Sequence, residues 1–227
     1  MLPLLLLLLQ SPESAEKLTR QGRQAMARND SEAARTAFTR AVQVAPKSAQ
    51  AQFLLGFFHY VENDFLQARP ALERAQELAP DDPRTTLFLA LTLDGLARPR
   101  EAESVFEQTL RLEAKQRKPN AETHVAYARM LFAEGRFDEA EKQASQALVV
   151  NAKSREAHYE QARIHLERGR PLEAVKEATL ALGLPAEGTT DRQLHFLLSR
   201  AHAQAVHVEQ AAVHRKAFEA IPAGVVR

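Results

Sequence analysis

The residues most able to do chemistry in this chain are its eight histidines. His124, His158 and His195 recur in one row, and His59, His165 and His202 in another. Imidazoles are common ligands for divalent metals, so paired histidines on a helix raise the question of a metal site. His158/His165 and His195/His202 are each seven residues apart. On a helix that is two turns, about 10.5 Å of rise, too far for two rings to share one ion; a chelating pair stands three or four residues apart. The spacing therefore predicts rings packed between neighbouring helices rather than ligands. His207 and His214 are expected to be exposed near the C-terminus, and no metal or other cofactor is expected.

Other reactive constellations are missing from the sequence. There is no G-x-S-x-G elbow, no phosphate-cradling Walker loop, no H-E-x-x-H and no C-x-x-C. Cysteine is absent altogether, which removes disulfides, thiolate ligands and a cysteine nucleophile. The acidic pair Asp81-Asp82 reads as a turn and a helix cap. The basic stretches Arg98-Pro-Arg100 and Lys115 to Lys118 are short and read as solvated loops. Lys and Arg total 30 against 29 Asp and Glu, a net charge of +1, so no field draws in nucleic acid. An enzyme is not expected, and neither is a nucleic-acid partner.

The elements that carry these residues are helices. Only 8 of 227 residues are glycine, and alanine is about one in six, which favours helix. Small residues recur at Gly22, Gly56, Ala90, Ala128, Ala162 and Ser199, with gaps of 34, 34, 38, 34 and 37. Twelve positions after each stands an alanine: Ala34, Ala68, Ala102, Ala140, Ala174 and Ala211. A third row follows at Ala41, Ala75, Thr109, Ala147, Ala181 and Phe218, whose last member breaks the pattern. Side chains able to cap a helix N-terminus stand at Ser14, Ser48, Asp82, Asn120, Ser154 and Asp191, with the same gaps. Each unit thus reads as two helices, A and B, joined by a short turn such as Asn29-Asp30. Small residues are required where the two cross closely, since larger ones would overpack by roughly 1–3 kcal/mol.

These rows resemble the tetratricopeptide repeat (TPR) family, whose 34-residue unit carries an aromatic or large apolar residue at position 4, Leu at 7, Gly or Ala at 8, Tyr at 11, Ala at 20, an aromatic at 24, Ala at 27 and Pro at 32. Unit one matches with Leu18, Gly22, Ala34, Phe38, Ala41 and Pro46. Unit two matches with Leu55, Gly56, Ala68, Leu72, Ala75 and Pro80. The other four units keep the small residues, with Leu89 and Phe106 in unit three and Leu198 in unit six. The resemblance implies an all-α, right-handed α-solenoid of about six helix-turn-helix repeats, near 15–48, 49–82, 83–116, 121–154, 155–188 and 192–225. The connection at Lys115 to Asn120 is four residues longer than the repeat allows, and Gly188 to Asp191 adds three. Unit six reads as the terminal cap.

In that family helix A lines a concave groove. The matching positions here give an apolar floor in units two and three: Phe53, Phe57, Tyr60, Leu87 and Leu91. Units four to six give an arginine ladder with aromatic neighbours: Arg129, Phe132, Tyr159, Arg163, Phe196 and Arg200. Such a groove suits a peptide with hydrophobic and acidic residues. The competing reading is that the arginines pair with Glu122, Glu156 and Glu160 and hold the stack. The family's chaperone-binding carboxylate clamp is absent, because no unit has Lys at position 5 with Asn at 9. The expected function is a non-enzymatic scaffold binding a protein or peptide. The alternative is a self-assembling structural subunit of an envelope or secretion complex.

Residues 1–13 stand apart. The run Leu4 to Leu9 is far short of the roughly 20 residues that span a bilayer, so no transmembrane span is expected. Its length fits the apolar part of a secretory signal, whole or clipped, though no Lys or Arg precedes it; an apolar tail on a cytosolic protein is the other reading. Export or envelope association is favoured over the cytoplasm.

Overall fold

A computed structural model describes residues 12–186 and 188–222; the apolar run Leu4 to Leu9 and the last five residues lie outside them. Among the described residues there are twelve helices and no strand. The chain divides into two units, Met1–Lys118 and Pro119–Arg227. The first holds α1 (Pro12–Ala27), α2 (Ser31–Val44), α3 (Ala49–Val61), α4 (Phe65–Leu78), α5 (Pro83–Gly95) and α6 (Pro99–Gln116). The second holds α7 (Ala121–Ala133), α8 (Phe137–Val150), α9 (Arg155–Glu167), α10 (Pro171–Leu182), α11 (Asp191–Gln204) and α12 (Val208–Ala220). Within each unit consecutive helices pair into three hairpins, and each hairpin stacks on the next. The odd-numbered helices are the A helices of the repeat.

Close helix crossing explains the small-residue rows. Ala34, Ala68, Ala102, Ala140 and Ala174 are completely buried, as are Ala41, Ala75, Thr109, Ala147 and Ala181. Ala211 is only half-buried, because among the described residues no further A helix follows α12 to cover it. Glycine at 22 and 56 has a specific cause. A Cβ on Gly22 would lie 2.5 Å from the Phe38 ring, and one on Gly56 2.6 Å from Leu72. Phe38 and Leu72 are fully buried, so neither can give way.

Four of the expected caps form. Ser48, Asp82, Asn120 and Ser154 accept hydrogen bonds from the backbone N–H of Ala51, Arg84, Glu122 and Ala157. Two do not. Helix α1 already includes Pro12, so Ser14 lies inside it. Helix α11 is capped by Thr190 rather than Asp191, because Gln193 completes a reciprocal capping box with Thr190. The long connection between units three and four is taken up in part as helix: α6 runs 18 residues, through Lys115 and Gln116, and closes at Arg117 in a left-handed conformation.

The A-to-B turns share a device that the small-residue rows do not reveal. Asn29, Asn63, Ala97, Gly135, Gly169 and Val206 all have positive φ, between 55° and 75°, and recur in the same register. Asparagine and glycine tolerate this region; a β-branched side chain does not. Val206 is therefore the strained member, and its side chain is 79% exposed, so it contributes little packing. Val206→Gly is expected to stabilise the terminal hairpin by about 1 kcal/mol, the lower end of the left-handed penalty after glycine's own entropy cost. Thermal unfolding would read this as a raised midpoint; a lowered one would mean the valine packs better than its exposure implies.

Candidate functional site

The two halves of the expected groove are built differently and belong to different units. In the first unit, α3 and α5 bring four aromatic rings together. Phe53 and Phe57 lie one helical turn apart and stack at 6.0 Å between centroids. Phe88 presents its ring edge-on to both, at 5.9 and 4.8 Å, and to Tyr60 at 5.3 Å. Such offset and edge-to-face contacts are the favoured geometry of aromatic quadrupoles. All four rings are half-buried, as is Leu91, so one side of the patch remains open. The guanidinium of Arg84 sits 5.5 Å over Phe53 and is held there by Asp82.

Leu87 is not part of this surface. It is 3% exposed and faces the interior. The residue that takes its place is Phe88, one position later, which motif counting passed over. The hydropathy of α5 could not have separated them, since Leu87, Phe88, Leu89, Leu91 and Leu93 are apolar almost all round the helix.

In the second unit, α7, α9 and α11 carry the arginines. Glu160 is the centre of the arrangement, with 1% of its side chain exposed. Its carboxylate accepts from Arg129 Nε at 3.1 Å and from an Arg163 terminal nitrogen at 2.6 Å. Arg163 also lies 4.1 Å over the Phe132 ring and 5.6 Å over Tyr159. Burial pushes the Tyr159 phenol above its ordinary pKa, with the Arg163 charge opposing. Arg200 pairs with Glu167 at 3.2 Å and stands 6.0 Å over Phe196. So the arginines do form ion pairs, through Glu160 and Glu167 rather than through Glu122 or Glu156. Two guanidinium groups on one buried carboxylate leave a local charge of +1 beside two aromatic faces. Arg129 is half-exposed and engages Glu160 through Nε alone, so its terminal nitrogens can still donate to an incoming carboxylate.

The histidines mostly work as hydrogen-bonding links across hairpins rather than as stacked rings. His124 Nδ1 meets Gln143 at 2.8 Å, and His158 Nδ1 meets Glu177 at 2.7 Å. His195 Nδ1 meets His214 Nδ1 at 3.0 Å. Each link joins an A helix to the residue 19 further on in its own B helix. Burial pushes His59 and His165 below the ordinary histidine range, against the pull of Asp64 and Glu141. His214 is half-buried, not exposed as the sequence reading has it. Among the described residues no three His, Asp or Glu side chains are arranged to hold a common metal, and no helix is long and apolar enough to cross a membrane.

Neither patch is an enclosed pocket. A concavity of about 750 Å³ does open in the first unit, bordered by Ala15, Arg23, Pro46 and Lys47, away from the aromatic rings. Open patches of rings and guanidinium groups suit a polypeptide surface better than a small molecule, which needs a cleft that buries most of it.

A sequence profile described as Tetratricopeptide repeat matches residues 19–83, 88–149 and 128–187. No curated protein matches. Among solved structures the chain is similar to PilW, a widely conserved type IV pilus biogenesis factor, with a TM-score of 0.82 and 17% identity over 92% of this chain and 94% of that one. It is also similar to PilF of Pseudomonas aeruginosa, with a TM-score of 0.77 and 15% identity over 94% of each. A third is YrrB, a TPR protein with an unusual peptide-binding site, with a TM-score of 0.56 and 17% identity over 83% of this chain and 88% of that one. At these identities the likeness is one of fold.

Proposed function

Because the chain belongs to the tetratricopeptide repeat family, we propose that it is a non-enzymatic scaffold that binds a protein or peptide on the A-helix faces of its units. Proteins of this family mediate protein–protein contacts. The observation that carries the proposal is the open cluster of Phe53, Phe57, Tyr60 and Phe88. Phe53 also packs against the core of its unit, but all four rings are only half-buried, and aromatic side chains with an open face of this kind anchor partners. The first unit then takes hydrophobic side chains of the partner. The second takes acidic ones, at Arg129, Arg163 and Arg200, with Phe132, Tyr159 and Phe196 alongside.

The test is affinity capture from native extract with the wild type, followed by titration of the recovered partner against two variants. Phe57→Ala/Phe88→Ala removes the anchors, and Arg200→Ala removes an arginine that does not hold Glu160. The aromatic variant is expected to weaken binding by about 2 kcal/mol or more, roughly 30-fold. Circular dichroism establishes that both variants stay helical. Equal affinity for wild type and both variants would sink the proposal for these faces.

Self-association is the second reading. It is favoured by α12, the last helix among the described residues, where Val208 and Val213 are 72% and 63% exposed. The likeness in fold to PilW, a type IV pilus biogenesis factor, is a further reason to consider such an assembly. Sedimentation over a hundredfold range of concentration decides it; a monomer throughout removes this reading.

A further inference from the structure

We propose that the terminal hairpin α11/α12 is an acid-sensitive clasp, in which His195, His202, His207 and His214 hold the hairpin closed while neutral and open it on full protonation. The four imidazoles form one contiguous group. His195 and His214 bring their Nδ1 atoms to 3.0 Å with ring centroids 5.2 Å apart, so the rings meet nose to nose. His202 and His207 repeat this at 3.4 and 5.6 Å. His202 and His214 stack at 5.4 Å, with planes only 6° apart, which joins the two pairs.

A nose-to-nose imidazole pair needs one N–H and one lone pair. It survives with both rings neutral, or with one extra proton shared between them. With two extra protons it sets N–H against N–H and charge against charge, and the contact cannot persist. Burial, then the His207 charge, pushes His202 below the ordinary histidine range. Burial, then His195 and His202, does the same to His214.

The surrounding elements do not offset that charge. On α9, Glu160 is taken by Arg129 and Arg163, Glu167 by Arg200, and Glu156 faces the Thr189 backbone. On α10, Glu177 holds His158, Glu173 acts on His165 and Arg170, and Lys176 is a cation. On α11, Asp191 is taken by Arg155, and Arg192 turns to the Ile221 carbonyl. On α12, Glu209, Arg215, Lys216 and Glu219 form no hydrogen bond or ion pair with the imidazoles.

Helix α12 is suited to move. It has no fully buried residue, whereas α8 and α10 each bury three alanines. Its ties to α11 lie near the surface, among them the Arg192 guanidinium 4.1 Å over the Phe218 ring. The Ser199 hydroxyl donates to the Ala211 carbonyl at 3.1 Å, Arg192 Nε to that of Ile221 at 3.0 Å, and Phe218 packs on Phe196 at 5.3 Å. Opening would remove Phe218 from the already half-exposed Phe196 ring and so change the surface at the end of the arginine ladder.

The sign follows from proton uptake. The open form binds more protons, so the closed form's advantage is complete above the ordinary histidine pKa of about 6.5 and is lost as pH falls below it. A pair that admits one proton where the open form admits two loses about sixfold between pH 7.5 and 5.5, so two pairs give roughly 30-fold. Amide hydrogen exchange on the full chain, corrected for the intrinsic pH dependence, should show this increase in the opening of α12 and not of α3. Asparagine keeps an N–H to acceptor link without a titrating proton. In His195→Asn/His214→Asn the response should fall to about sixfold, and with His202→Asn/His207→Asn added it should vanish. Opening of α12 that ignores pH, or a full response in the fourfold variant, overturns the proposal. If that variant proves open already at pH 7.5, imidazole NMR of the wild type decides. Coupled two-step titration of His195 and His214 upholds the clasp, and two independent ordinary titrations overturn it.

Discussion

Removing both arginines from Glu160, as Arg129→Ala/Arg163→Ala, is expected to destabilise the second unit by about 3–5 kcal/mol, the cost of leaving a buried charge without a partner. The magnitude follows from which member is buried. Glu160 has 1% of its side chain exposed, whereas Arg129 and Arg163 have 55% and 26%. Loss of Arg129 alone should cost far less, because Arg163 still holds the carboxylate at 2.6 Å. Adding Glu160→Gln to the double variant should recover much of the loss, since a neutral amide is far cheaper to bury. Denaturant unfolding of the three variants reads this directly. A double variant as stable as the wild type would mean the arginines are held for a ligand alone. The same arithmetic explains why charge reversal is a poor probe of binding here: Arg129→Glu and Arg163→Glu would crowd three carboxylates together and confuse unfolding with lost recognition.

Phe38→Ala should cost about 3–5 kcal/mol, the range for deleting a buried aromatic ring. Phe38 is completely buried and packs with Ala25, Ala34, Leu54 and Phe58. Its partnership with Gly22 gives the prediction a sharper form. In the wild type, Gly22→Ala gains up to about 1 kcal/mol of helix propensity but drives a Cβ to within 2.5 Å of the ring. The ring cannot retreat, so overpacking of roughly 1–3 kcal/mol wins and the variant is destabilised. In the Phe38→Ala background the clash is gone, and the same Gly22→Ala change should stabilise. A double-mutant cycle by denaturant unfolding tests the reversal. Destabilisation by Gly22→Ala in both backgrounds would show that glycine is needed there for some reason other than Phe38.

Most of the repeat grammar was readable because it depends on distances along the chain. Ala34 through Ala174 are small for the same reason in every hairpin, and a cap at Ser48 or Ser154 acts within one turn. The exceptions are local competitions between near neighbours. Thr190 displaced Asp191 as a cap because Gln193 could complete its box, and Leu87 yielded its surface place to Phe88 on a helix apolar almost all round. The histidine rows were legible as rows, and their spacing argued against a shared metal. Their actual links to Gln143, Glu177 and His214 lie 19 residues away, on another helix.

The six A/B helical hairpins of the described residues, and their tetratricopeptide repeat kind, can be read along the chain, because periodic small residues and caps act through local geometry and recur. Packing between helices sets which arginines pair with Glu160 and Glu167, which aromatic rings face outward, and the convergence of four histidines on the last hairpin. Those outcomes depend on the rotation of each helix about its axis and on which helix packs beside it, and neither is fixed by spacing along the chain.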